Sequence, residues 1–194
     1  MRHKYTLRLI LLNIVIVTAN GLTYFGLSLN SPNLPGNAYL NIFYSALVEL
    51  LGYLTIMTFA AKFSRRSCMI ISQAIAGFSC LISILLIEIG EANDDSFILS
   101  AGRYISFGGK LAISASFGLW YLIIAEVFAV EVSMKLLGLV QLMGRFGIML
   151  APFILQLSSI LSWLPLVIFG LVSLVASYSS LIILTPFGAL YVYI

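Results

Sequence analysis

Six apolar stretches, at residues 9–29, 38–61, 67–89, 97–125, 136–157 and 164–185, decide what this chain can fold into. A helix that crosses lipid needs about 20 mostly apolar residues, and each stretch supplies that many. In water they would have to be hidden from solvent, and 194 residues cannot hide so much. Hydrophobic residues make up 61% of the chain and charged residues 9%, against roughly 45–50% and 25% in a soluble domain. A bilayer removes the difficulty, because lipid tails are as apolar as leucine. The expected fold is an all-α membrane protein, a six-transmembrane-helix bundle over residues 9–185. Residues 1–8 form an N-terminal flank and 186–194 a C-terminal tail.

The breaks between stretches carry turn chemistry. The first is Asn30-Ser31-Pro32-Asn33-Leu34-Pro35-Gly36-Asn37, whose prolines and glycine end one helix and suit a turn. The third holds Glu91, Asp94 and Asp95. Lysine and arginine set the orientation. Arg2, Lys4 and Arg8 precede the first span, Lys62, Arg65 and Arg66 follow the second, and Lys135 follows the fourth. The other loops have none. All these cations fall on one side, which is therefore assigned to the cytoplasm, with both termini on it. The first span also has the basic start of a secretory signal, but its apolar run continues to Leu29, beyond the usual 7–15 residues or so. It reads as a span.

Several function classes have no support. A net charge of +3 split among loops is not a nucleic-acid footprint, and His3 is the single histidine. Neither a histidine triad nor a zinc site can be built, and no nucleotide-binding glycine loop is present. Cys68 and Cys80 lie in one span about 18 Å apart in helical rise, too far to bridge. They read as packing residues. The expectation is no enzyme, no cofactor, no metal and no nucleic-acid partner.

Charge inside the spans is the most informative feature. An ionised group at mid-bilayer costs roughly 2.5–3.5 kcal/mol on the insertion scale, so it faces a partner or a cavity. Glu49, Lys110 and Arg145 sit near the middles of spans two, four and five. Arg103 lies nearer the outer end of span four, within reach of the interface. One acid and two bases leave one positive charge over, which asks for water or a ligand anion. Helical spacing places Lys110, Ser114, Phe117 and Tyr121 on one face, Asn13, Val17, Asn20 and Tyr24 on another, and Ser45, Glu49 and Tyr53 on a third. Gln141 is one turn before Arg145. Such faces suit a cavity for a small organic ion, with Tyr24, Phe117 and Tyr121 able to pack a cationic moiety. The alternative is that Glu49 pairs with a base and only fixes packing. Gly102, Gly108 and Gly109 are expected as bend points of span four. Gly138, Gly144 and Gly147 are expected to let span five approach a neighbour closely.

The segment Leu22-Thr23-Tyr24-Phe25-Gly26-Leu27-Ser28 resembles the Y-Y-G-L-S signature of the organic cation/anion/carnitine transporter family, of the major facilitator superfamily. In order after it, Gly36-Asn37-Ala38-Tyr39-Leu40-Asn41 with Glu49 resembles G-x-x-Y-x-N…E-x-P. Lys62-Phe63-Ser64-Arg65-Arg66 resembles the D-R-F-G-R-R loop. Gly109-Lys110-Leu111-Ala112-Ile113-Ser114-Ala115-Ser116-Phe117 with Ala125-Glu126 resembles G-K-x-x-I-x-A-x-F…A-E-L-Y-P-T. Arg145-Phe146-Gly147 with Pro152 resembles R-x-G-x-x-x-x-P. The resemblance covers about residues 2–155 and implies the C-terminal half of a twelve-span carrier. It implies that Tyr24, Phe25, Glu49, Lys110, Phe117 and Arg145 line the central cavity, and the helical face adds Tyr121. An arginine at position 145 resembles the anion- and carnitine-type members. Implied partners are a small organic ion, the lipid bilayer and a second six-helix half or another copy, in the plasma membrane. Ala61, Ser64, Leu51, Ala129 and Val130 depart from the family pattern. They leave open a non-transporting assembly partner or decayed fragment.

Overall fold

The computed structural model describes the backbone of residues 2–127 and 130–187. It describes side chains within 10–123, apart from positions 61 and 66, at 134 and within 137–182. Six helices follow one another: α1 (Arg2–Asn30), α2 (Ala38–Lys62), α3 (Arg65–Asn93), α4 (Ser96–Val127), α5 (Val130–Gln156) and α6 (Leu164–Phe187). Short 3-10 turns at Ser31–Asn33 and Leu157–Ser159 follow α1 and α5. The chain is a multi-pass bundle of the expected class. Helix α6 runs to Phe187, two residues into the tail expected at 186–194; residues 188–194 and Ala129 lie outside the described residues.

The helix ends have local causes. Gly36 takes φ +111°, a conformation that side chains rarely adopt, and so turns the chain into α2. Asn37 then caps α2, its Oδ1 accepting from the Tyr39 N–H at 3.0 Å. Asp94, at φ 55°, ends α3 in the left-handed region, and Asp95 Oδ1 accepts from the Phe97 N–H at 2.9 Å to start α4.

Among the described residues, five helices are long and apolar enough to cross a bilayer, over Ile10–Asn33, Ala38–Ala60, Ser67–Asn93, Leu137–Ser159 and Leu164–Ile182. Helix α4 has the length, 32 residues, but Arg103, Lys110 and its serines dilute the apolar signal. The helix runs unbroken through Gly102, Gly108 and Gly109, because Gly102 and Gly109 serve packing against Ile87 and Ser79 of α3. Gly108 faces open space.

Helix α3 packs on α4 and α6, and α1 on α5, α6 and α4; α2 rests on α4 and barely touches α3. The α1–α5 contact is close because a Cβ on Gly147 would stand 2.4 Å from the Thr18 carbonyl oxygen. Gly138 has nothing within 4 Å of its Cβ position, so it takes no part in that approach. A buried polar ladder ties four helices together. Gln73 Nε2 donates to Asn20 Oδ1 at 3.1 Å, Asn20 Nδ2 to Ser116 Oγ at 3.3 Å, and Ser180 Oγ to Gln73 Oε1 at 2.7 Å. In hydrocarbon such groups must satisfy one another, and these do.

Candidate functional site

The charged cluster forms where α1, α2 and α4 converge. Glu49 of α2 and Lys110 of α4 make an ion pair at 3.6 Å. Lys110 Nζ also donates to Ser45 Oγ, one turn before Glu49. Ser45 Oγ lies 2.8 Å from Ser31 Oγ, so the polar chain reaches the end of α1. The Tyr24 hydroxyl donates to the other carboxylate oxygen of Glu49. The acid on α2 is therefore held from both α1 and α4. Lys110 is nearly covered, at 6% side-chain exposure, whereas Glu49 keeps 27%. The pair is closed on the α4 side and open on the other.

An aromatic wall flanks the pair. Tyr24 and Phe117 stack, with centroids 5.4 Å apart and planes 16° from parallel. Phe25 meets Tyr24 edge-on at 5.2 Å, and Tyr121 meets Phe117 edge-on at 5.6 Å. Gln141 of α5 donates to the Tyr121 hydroxyl, which joins the fourth helix to the site. A groove of about 440 Å³ runs from Tyr53 past Ile56, Met57 and Gly118 to Arg65. Its size is that of a small-molecule pocket, and Tyr24, Glu49, Lys110, Phe117 and Tyr121 are not in its lining.

Tyr24, Phe25, Glu49, Lys110, Phe117 and Tyr121 thus come together. Arg145 stands apart. It is exposed, one turn beyond Gln141, and makes no hydrogen bond or ion pair with another described residue. Because Lys110 is neutralised by Glu49, the positive charge left over is that of Arg145. Arg103 is held at the outer end, its Nη1 donating to the Pro35 carbonyl at 3.2 Å.

Not every residue on these helical faces reaches the ion pair. Val17 packs in the core and Asn20 is spent in the ladder with Gln73, so of their stripe Tyr24 is the member that reaches the ion pair. The Ser114 hydroxyl donates to the Lys110 carbonyl within its own helix at 2.8 Å and is fully buried. Ser31 went unnoticed in the sequence, since it lies in the turn rather than on a span.

Comparison with known proteins gives relatives over most of the chain, though no family model matches it. The Organic cation transporter protein of Drosophila melanogaster is 35% identical over 164 residues, which is 84% of this chain and 28% of the relative. Human Solute carrier family 22 member 16 is 32% identical over 160 residues, 82% of this chain and 26% of the relative. The Carcinine transporter of Drosophila melanogaster is 32% identical over 163 residues, 84% of this chain and 23% of the relative. The matched stretch is thus 23–28% of the length of these curated relatives.

Proposed function

We propose that this chain, a homologue of the organic cation transporters of solute carrier family 22, carries small organic ions across a membrane as one six-helix half of an alternating-access carrier. The observation that carries this reading is the Glu49–Lys110 pair with its wall of Tyr24, Phe117 and Tyr121. Charge in a span is expensive and is kept where it meets a pathway or a partner. Here the acid stays partly open and is lined by aromatic faces that suit an organic cation. Arg145, which has no hydrogen-bond or ion-pair partner among the described residues, adds a positive charge one turn from the Tyr121–Gln141 contact. A carboxylate fits Arg145, and an ammonium group fits the aromatic wall beside Glu49. Zwitterions of the carnitine type satisfy both, and the relatives named for organic cations and for carcinine are consistent with the cationic half of that requirement.

A six-helix half cannot enclose a substrate alone. In carriers of this architecture the site lies at the interface of two repeats. The second half is a separate segment or another copy, and it covers the open side of Glu49. The loop cations support a reading with both termini in the cytoplasm, and the proposed site of action is the plasma membrane.

A second reading has one observation in its favour. Glu49 and Lys110 cancel each other, so the pair also suits a non-transporting assembly partner in which it fixes helix packing. Uptake separates the two. In a protein carrying both halves, Arg145→Ala abolishes uptake of labelled organic carboxylates and carnitine-like zwitterions. Unchanged uptake removes the role assigned to Arg145.

A further inference from the structure

The seam between α2 and α4 has two sides, and the site described above uses one of them. The helices touch closely at Gly52, whose Cβ position is 2.9 Å from the Leu111 carbonyl oxygen. On one side lies the groove that begins at Tyr53. On the other, because α2 scarcely meets α3, a second groove of about 400 Å³ remains between α2, α3 and α4. Phe59 and Phe63 form one wall, Ile71 and Ile75 the opposite wall, and Gly108 and Ala112 the floor. Its lining is apolar, and none of Tyr24, Glu49, Lys110 or Phe117 takes part.

We propose that this second groove binds one acidic phospholipid, an acyl chain between the helices and the headgroup at Lys62. The groove faces the hydrocarbon. Ile71 and Ile75 begin a stripe of exposed apolar residues that continues along α3 through Phe78, Ile82, Leu85 and Ile89. It runs along α2 from Thr55 to Phe63, a depth of about 12 Å at 1.5 Å per residue. Its mouth is the α2–α3 loop, at the level of lipid headgroups.

Charge at that mouth selects the lipid. Lys62 is exposed and lies three residues beyond Phe59, on the same helical face. The loop region Lys62–Ser67 holds three cations and no acid. Helix α3 begins there at Arg65, and its cap residue Ser64 makes no side-chain hydrogen bond. Its first N–H groups therefore face the headgroup level, where a phosphate is favoured. Arg65 lines the neighbouring groove beside Tyr53, so Lys62 is the cation assigned to the lipid. A neutral headgroup would gain little from this surface, whereas an acidic one gains at Lys62.

Gly108 supplies the test. Nothing lies within 4 Å of its Cβ position, so a larger side chain fills the groove without pushing a helix. The protein is purified in mild detergent, exposed to vesicles of equal phosphatidylglycerol and phosphatidylcholine, and weighed by native mass spectrometry. The wild type is expected to retain one phosphatidylglycerol at about 5-fold preference, the gain from one cation at a membrane surface. Gly108→Leu is expected to lose the bound lipid. Lys62→Ala, a surface change that leaves the fold intact, is expected to bring the preference to about 1. Equal retention of the two lipids by the wild type, or undiminished phosphatidylglycerol on Gly108→Leu, would overturn the proposal.

Discussion

At the residue scale, Glu49 and Lys110 hold each other in place. Removing one member of a buried pair leaves a charge without compensation, at about 3–5 kcal/mol, while replacing both is often nearly neutral. Glu49 is partly open, so the loss here is expected at or below the lower end of that range. Lys110→Met should therefore lower the thermal midpoint in detergent clearly, and Lys110→Met with Glu49→Gln should recover most of it. A double variant as unstable as the single one would mean that the pair is not what holds these helices. Much of this cluster was readable in advance. The cost of charge in lipid singled out Glu49 and Lys110, and helical spacing put Phe117 and Tyr121 on the lysine's face. Asn20 was misjudged for a physical reason. Spacing tells which residues share a face, but the partner that satisfies Asn20 is Gln73 on another helix, and no local pattern announces it.

At the scale of elements, span positions followed from apolar length and turn chemistry, and Gly36 was expected in the turn it makes, whereas the cap that Asn37 gives α2 is seen in the structure alone. The glycines were harder. A glycine that bends a helix and one that admits a neighbour look alike in sequence. In α4 Gly102 and Gly109 admit α3 whereas Gly108 faces open space, and in α5 Gly147 admits α1 whereas Gly138 admits nothing. Gly147→Ala would drive its methyl group against the Thr18 carbonyl, a backbone atom that cannot swing aside. Overpacking of this kind costs roughly 1–3 kcal/mol. The thermal midpoint of Gly147→Ala should fall, while that of Gly138→Ala should stay at the wild-type value. Equal effects at the two positions would contradict the α1–α5 packing described here.

At the scale of the whole molecule, the bundle is unevenly covered. The spans of α1 and α6 are each 50% buried, whereas α5 is 22% and α2 11% buried. The two least covered helices both meet the cluster, α2 through Glu49 and α5 through the Gln141–Tyr121 contact, so the open side of the site lies between them. This suits a half whose partner surface includes α2 and α5. The all-helical class was plain from composition, because no soluble core could absorb so much apolar surface. Which helices stand at the edge was not plain, since lipid and a partner half both accept apolar residues.

The central claim is that the cluster around Glu49, Lys110, Phe117 and Tyr121 faces water and holds an organic ion. Cysteine labelling in native membranes tests it most directly, with Cys68 and Cys80 replaced by alanine. Tyr121→Cys should react with a water-soluble maleimide, and added carnitine-like zwitterions or organic cations should slow that reaction. Leu85→Cys, on the exposed apolar stripe of α3, should not react. A Tyr121→Cys protein as unreactive as Leu85→Cys, or one whose labelling no organic ion slows, would contradict the account.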